Sequence, residues 1–332
     1  MSQDTATEIK PTAFRWAINH ALDEEMERDE HVWLLGQDIG ATGGTFGLTR
    51  GLFDKYGAAR VRDAPISEEG MADMAVGAAM TGTRPVLEIM FGDFLALTMD
   101  ALVNQAAKTR YLSGGQMTVP LVVRTLAGGG FRAGAHHSQS LESWFTHVPG
   151  LKVVYPSTPA DAKGLLKSAI RDDNPVMVFE PKAMFPIKEQ IPQGDHLVPI
   201  GKADVKRAGK DVTVIAWGRM VPVVLAAANT VAADGIDVEV IDPRTLLPLD
   251  RETILDSVAK TGQVLVVHEA PKLSGFGAEV AAVIAEECLF HLDAPIKRLG
   301  SAFCPIPIGD SEDLVFPTSE GVAEEIRALV AQ

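Results

Sequence analysis

The 332-residue sequence has little cysteine, a deficit of positive charge and no long apolar run. Its two cysteines, Cys288 and Cys304, are too few for a disulfide scaffold or a four-thiolate metal site, and such sparse use is typical of a reducing, cytoplasmic compartment. Lys and Arg total 30 against 44 for Asp and Glu, a net charge of −14, which argues against nucleic acid as a partner. The apolar run of about 18 residues that a membrane span needs is absent.

Targeting and catalytic signatures are missing as well. Residues 1–11 are polar and carry Asp4 and Glu8, unlike a secretory signal or an Arg-rich transit peptide. No serine stands in a G-x-S-x-G nucleophile elbow, which removes the best support for a hydrolase. No HExxH or CxxC motif accompanies the neighbours His136 and His137, so a zinc site is disfavoured.

The composition is otherwise that of a globular protein, with 46% hydrophobic and 22% charged residues. Its length is about twice that of an average domain, so two domains are expected. Helical patterns cover residues 13–28, 48–56, 70–83, 95–111 and 159–170, and they alternate with strand patterns at 32–35, 85–91, 119–124, 152–155 and 176–180. This alternation predicts an α/β fold with a mostly parallel sheet and helices on both faces.

A shift in composition divides the chain. Pro186, Pro192 and Pro199 predict a linker at 186–209, between an α/β domain at 1–185 and a smaller α/β domain at 210–332. In the second domain, strand patterns at 212–217, 238–241 and 263–268 alternate with helix patterns at 221–234, 251–260 and 277–289.

Two segments place polar groups beside apolar elements. Glu68 and Glu69 lie between a strand and an Ala/Gly-rich helix, where either one carboxylate is buried or both face solvent in a first helical turn. His136 and His137 end a glycine-rich loop, residues 128–140, where imidazoles either meet a ligand or add surface polarity. These residues alone leave both interpretations open.

Ordered blocks along the chain carry a family resemblance. They are Pro65-Ile-Ser-Glu68-x-Gly70, Arg84-Pro85, Phe94, Asn104-Gln-Ala-Ala-Lys108, Ser113-Gly-Gly115, His137-Ser-Gln139, Pro149-Gly-Leu-Lys-Val153, Asp161-Ala-Lys-Gly-Leu165, Asp242-Pro-Arg244-Thr-Leu-Leu-Pro248-Leu-Asp250 and His268-Glu269-Ala-Pro271. In this order they resemble the β subunit of thiamine-diphosphate-dependent 2-oxoacid dehydrogenases, the pyruvate, branched-chain and acetoin dehydrogenase family, over residues 12–328. The resemblance implies a transketolase-like, pyrimidine-binding α/β domain with a parallel sheet, followed by a smaller transketolase-type C-terminal domain.

The resemblance also implies an α2β2 assembly with thiamine diphosphate between the subunits. The α subunit would hold the diphosphate and magnesium, because Gly92-Asp93, Gly194-Asp195 and Gly309-Asp310 all lack the second glycine of the Gly-Asp-Gly hallmark. The implied activity is decarboxylation of a 2-oxoacid and acylation of a lipoyl domain of the acyltransferase component. Cleavage of acetoin is the alternative, followed by a self-sufficient transketolase-type enzyme and a non-catalytic nucleotide-binding or scaffold subunit.

Single residues receive roles from the same resemblance. Glu68 matches the glutamate that hydrogen-bonds the aminopyrimidine ring nitrogen of the cofactor, and Phe94 matches an aromatic residue beside that ring. His137 matches the loop histidine that transfers a proton or orients the lipoyl thiol, whereas His136 is a candidate for the substrate pocket. If the segment around Glu68 is extended, Glu68 points inward and Glu69 outward.

Further positions concern ions and contacts. Relatives hold a structural potassium ion, largely through backbone oxygens, at the positions of Leu121, Ala169, Asp172 and Asn174. Gln37 stands where relatives usually carry glutamate, which puts an acidic relay between two active sites in doubt. The apolar helix at residues 71–80 is a candidate surface for subunit contact.

Overall fold

The computed structural model describes residues 11–192 and 194–331. Residues 1–10, most of the segment for which the sequence predicts no targeting role, lie outside the described residues. Among the described residues, no helix is both long and apolar enough to span a membrane.

Strands and helices alternate along the chain. The strands are β1 Thr12–Ala13, β2 Val32–Gly36, β3 Val61–Asp63, β4 Arg84–Phe91, β5 Val122–Ala127, β6 Lys152–Val154, β7 Val176–Pro181, β8 Lys188–Glu189, β9 Asp204–Arg207, β10 Val212–Ala216, β11 Val238–Asp242, β12 Thr245–Leu247, β13 Val264–Pro271 and β14 Lys297–Ser301. The α-helices are α1 Phe14–Arg28, α2 Leu52–Tyr56, α3 Glu68–Met80, α4 Ala107–Leu112, α5 Glu142–Thr146, α6 Pro159–Arg171, α7 Met220–Val231, α8 Arg251–Thr261, α9 Gly277–Glu287 and α10 Ser319–Val330.

The first sheet of the described chain has seven strands in the order β12-β6-β7-β5-β4-β2-β3. All its neighbouring strands from β6 to β3 run parallel. Alternate residues of a strand face different helices: Val86 packs in a cluster with α1 and α6, and Leu87 in one with α3. Because helices cover both faces, the central strands β5 and β7 are buried at every position.

The second sheet of the described residues has five strands in the order β14-β13-β10-β11-β9. Strands β10, β11, β13 and β14 are parallel, and β9 forms an antiparallel edge. Val214 and Val240 pack in a cluster with residues of α7 and α10, such as Val224 and Ile326. Two sheets of this kind confirm the predicted α/β class.

Three local details differ from simple pattern reading. The segment at 186–209 contains β8, which pairs with β1, and β9, which joins the second sheet. Strand β12, beyond residue 210, pairs antiparallel with β6 and so completes the first sheet. The helix predicted at 95–111 consists of a 3₁₀ stretch Gly92–Thr98, a π stretch Asp100–Ala106 and α4.

Candidate active site

The candidate residues follow neighbouring strands of the first sheet. Gln37 comes directly after β2, Glu68 follows β3, Phe94 follows β4, and His137 lies in the loop after β5. These four strands are adjacent and parallel, so their carboxyl ends meet at one edge. Open parallel sheets bind ligands outside the carboxyl ends of their strands. The fold therefore brings the predicted site residues to one edge of the sheet.

Glu68 is buried, with 6% of its surface exposed, and Glu69 is exposed. The sequence predicted this difference between the two carboxylates, but the reason given was wrong, because the segment is not extended. Glu68 begins α3, and successive helix residues are rotated by about 100° around the axis, which turns Glu68 inward and Glu69 outward. The Gln37 side-chain amide donates a hydrogen bond to Glu68 Oε1 over 3.3 Å.

Phe94 and His137 meet in an aromatic cluster that includes Phe91. The His137 ring lies 4.6 Å from the Phe91 ring at 90° and 5.7 Å from the Phe94 ring at 79°. The two phenylalanine rings are 5.8 Å apart at 86°. These are edge-to-face contacts, which orient the rings as well as bury them. Sequence reasoning missed Phe91, whose position as the last residue of β4 was the available signal.

The glycine-rich loop is tied to the turn that carries Phe94. The Gln139 side-chain amide donates to Asp93 Oδ1 over 2.8 Å, and the Gly128 N–H donates to the Gln139 carbonyl over 3.1 Å. His136 does not join His137 in the aromatic cluster. It lines a separate cavity of about 450 Å³ with Phe303 and other residues of the C-terminal half.

The four residues predicted to hold potassium lie near the opposite, amino-terminal edge of the sheet. The Leu121 carbonyl accepts the Val176 N–H over 2.9 Å, and the Ala169 carbonyl accepts the Asp172 N–H over 3.2 Å. Cationic side chains contact other acceptors of this group: Arg84 donates to the Asp172 carbonyl over 3.0 Å, Lys152 pairs with the Asp172 carboxylate, and Arg110 donates to Asn174 Oδ1 over 2.7 Å. A potassium ion here would share its ligands with these cations.

The sheet edge at the carboxyl ends of the strands fits one end of thiamine diphosphate. Glu68 offers a buried carboxyl group, and α3 packs against the 3₁₀ stretch that carries the Phe94 ring. A flat heterocycle that hydrogen-bonds a carboxyl and lies beside an aromatic ring matches this arrangement. Within residues 11–192 and 194–331, no three His, Cys, Asp or Glu side chains are grouped so that they could hold a metal ion.

Comparisons with known proteins identify two family matches and a solved structure of similar fold. Residues 10–188 match the family model "Transketolase, pyrimidine binding domain", and residues 201–322 match "Transketolase, C-terminal domain". A solved structure titled "Split gene transketolase, inactive beta4 tetramer" has a TM-score of 0.77 and covers 96% of this chain and 98% of its own. At 23% identity this likeness concerns the fold alone.

Curated relatives are much more similar in sequence. The β subunit of 2-oxoisovalerate dehydrogenase from Bacillus subtilis is 49% identical over 87% of this chain and 89% of its own. The β subunit of the pyruvate dehydrogenase E1 component from Acholeplasma laidlawii is 47% identical over 94% of this chain and 96% of its own. The β subunit of acetoin:2,6-dichlorophenolindophenol oxidoreductase from Bacillus subtilis is 43% identical over 95% of this chain and 96% of its own. These matches show that the chain belongs to the family of β subunits of thiamine-diphosphate-dependent 2-oxoacid dehydrogenases.

Proposed function

We propose that this β subunit joins an α subunit to form an enzyme that decarboxylates a 2-oxoacid and passes the acyl group to a lipoyl domain. The observation that carries the proposal is the buried Glu68 carboxyl at the same sheet edge as the Phe91, Phe94 and His137 cluster. Acetoin cleavage is the second candidate, because a relative named for acetoin is 43% identical over almost the whole chain. Residues of the α subunit would contribute to the choice between these substrates.

Thiamine diphosphate would supply the nucleophilic carbon that attacks the substrate's carbonyl group. The role of Glu68 is to share a proton with the aminopyrimidine ring nitrogen and to favour the tautomer that accepts the C2 proton. Its burial supports this role, because a carboxyl group away from water keeps its hydrogen bond to the ligand strong. Phe94 would cover the aminopyrimidine ring and keep water from it.

His137 would serve the second half of the reaction. An imidazole can donate a proton to the dithiolane sulfur that is released when the ring opens, or orient the lipoyl group during acyl transfer. The edge-to-face contacts with Phe91 and Phe94 fix the plane of its ring. A fixed imidazole loses less entropy when the lipoyl group arrives.

The partners follow from what this chain supplies. An α subunit would hold the diphosphate and magnesium in an α2β2 enzyme, and a lipoyl-bearing acyltransferase would accept the acyl group. Helix α3 supports subunit contact only in part: Met71 is buried in the core, but Met74 and Met80 are 46% and 39% exposed. The free thiols Cys288 and Cys304 support a cytoplasmic location. Potassium binding stays a prediction of the family resemblance.

Isothermal titration tests the proposal. The isolated chain should not bind magnesium and thiamine diphosphate tightly, because Glu68 and Phe94 hold only the pyrimidine end. Mixing with a candidate α subunit should produce binding and 2-oxoacid-dependent acylation of a lipoyl domain. Micromolar, magnesium-dependent binding by the isolated chain would favour a self-sufficient enzyme. Binding by the mixture without turnover of any 2-oxoacid or acetoin would favour a non-catalytic subunit.

A further inference from the structure

The C-terminal half of the chain forms hydrogen bonds with the loop that carries His137. The Gly129 N–H donates to Glu269 Oε1 over 2.7 Å, and the Gly130 N–H donates to Glu312 Oε1. The two carboxylates are 4% and 1% exposed. Hydrogen bonds from backbone N–H groups to buried carboxylates are charge-assisted and therefore stronger than neutral ones. Each fixes a loop residue to the other domain.

A second set of contacts runs along the 3₁₀ turn Gly309–Leu314, here named the acidic turn. Arg132 pairs with Asp310 and, over 2.7 Å, with Asp313. The Gly309 N–H donates to the Arg132 carbonyl over 3.2 Å, and Ala133 forms a β-bridge with Ile308. The loop therefore meets the acidic turn through both side chains and backbone.

The glycines of the loop permit this close approach. A Cβ atom on Gly129 would lie 2.4 Å from Cε2 of Phe316, and one on Gly128 would lie 2.4 Å from Oε2 of Glu269. Gly128 and Gly130 also have φ angles of 75° and 103°, which favour glycine. The Gly128-Gly-Gly130 sequence thus serves contact with the C-terminal half as well as the turn.

Two cations, the partly exposed Arg219 and the buried Lys182, lie near the two carboxylates. Arg219 Nε lies 3.4 Å from Glu269 Oε1, and the Arg219 guanidinium stacks over the Phe316 ring at 4.4 Å. Lys182 is fully buried, and its Nζ has no hydrogen-bond partner in the described part of the chain. Burial lowers the pKa of Lys182 to about 8, although Glu269, Asp93 and Glu312 act in the opposite direction. Charged side chains are therefore concentrated where the glycine-rich loop meets the C-terminal half, a contact that the sequence motifs did not reveal.

We propose that Glu269, Glu312 and the acidic turn are positioning residues, which hold the loop so that His137 stays seated against Phe91 and Phe94. The proposal rests on the proposed role of His137 in acyl transfer. Because loop, turn and aromatic cluster are one connected set of contacts, loosening the Glu312 contact releases the histidine, whereas Glu68 stays in place on α3. The C-terminal half then contributes to the reaction by holding the loop that carries His137.

The test compares Glu312→Ala, Glu312→Gln and the control Glu286→Ala in the assembled α2β2 enzyme. Glu286 is exposed on α9, a helix that packs against α8 and β13. We expect Glu312→Ala to lower kcat for lipoyl acylation about 10-fold to 100-fold, with little change in the KM for the 2-oxoacid. Glu312→Gln keeps an acceptor oxygen for the Gly130 N–H and should recover most of the rate. The control should behave as the unmutated enzyme.

Hydrogen exchange of the amides at 129–140 gives a readout that does not depend on activity. Glu312→Ala should speed this exchange, and Arg132→Gln, at a half-exposed residue, should speed it less and keep the fold intact. Faster exchange with normal acyl transfer would overturn the positioning role, and so would lost acyl transfer with normal exchange. If the unmutated enzyme acylates no lipoyl domain, the proposed function fails, whereas exchange still reports whether the carboxylates hold the loop.

Discussion

Replacing Glu68 by glutamine separates proton sharing from packing. Glu68 is 6% exposed and accepts one hydrogen bond from Gln37 over 3.3 Å. Glutamine has nearly the same shape, and its amide oxygen can accept that bond, so we expect the unfolding free energy to change by less than about 1 kcal/mol. An amide cannot share a proton with the aminopyrimidine. General acid–base catalysis contributes about 10²-fold to 10⁴-fold, so turnover should fall by that factor, about 3 to 5 kcal/mol of activation free energy.

The assay is hydrogen–deuterium exchange at C2 of thiamine diphosphate in the reconstituted enzyme, followed by rapid quenching and NMR. Glu69→Gln is the matched control, because Glu69 has the same charge in the same helical turn but is exposed. Glu68→Asp keeps the carboxyl and should retain part of the rate. Exchange at the unmutated rate in Glu68→Gln would refute the reasoning. Equal loss in Glu69→Gln would assign the effect to charge at the start of α3.

Two other predictions concern His137 and Glu142. His137→Ala should slow acyl transfer to the lipoyl domain more than decarboxylation, and single-turnover kinetics with and without the acceptor separate the two steps; equal losses would indicate cofactor positioning. Burial raises the pKa of Glu142 to about 7, so the unfolded chain loses this proton first and stability falls as pH rises from about 4.5 to 7. Glu142→Gln keeps an acceptor for the Trp217 N–H but has no proton to lose. Its unfolding free energy, measured by denaturation, should therefore rise relative to that of the unmutated chain by about 2 to 3 kcal/mol between pH 5 and pH 8.5. An equal effect of the substitution at both pH values would contradict the buried-acid explanation.

Local patterns predicted most elements of the fold, because each of these helices buries one apolar stripe and each of these strands buries at least one apolar face. The stripe of Phe14, Ile18 and Leu22 is buried in α1, which ends at Arg28 as predicted. The carboxyl-edge site was predictable only through family resemblance, since nothing local distinguishes Glu68 from Glu69 before the helix is placed. The helical pattern at 95–111 did not distinguish the π stretch Asp100–Ala106 from an α-helix.

Contacts between distant segments could not be predicted from periodicity. The Glu312 carboxylate meets Gly130 from 182 positions away, and no spacing rule connects an acid in one domain to a glycine in the other. The edge-to-face contact between Phe91 and His137 depends in the same way on the position of the loop that carries His137. Such contacts are set by how the two domains dock, which the sequence specifies only through the whole fold.

Strand β12 also sets an order of events during synthesis. Strand β6 ends at Val154, but its edge partner Thr245–Leu247 leaves the ribosome about 90 residues later. Because β6 joins the sheet through β7, which ends at Pro181, the first sheet waits for about 65 residues with that edge unpaired, about 3 to 13 s at roughly 5 to 20 residues per second. An unpaired edge is a template for another chain, so a fragment ended within 186–209 would carry the hazard permanently. The two domains are therefore best expressed as one polypeptide.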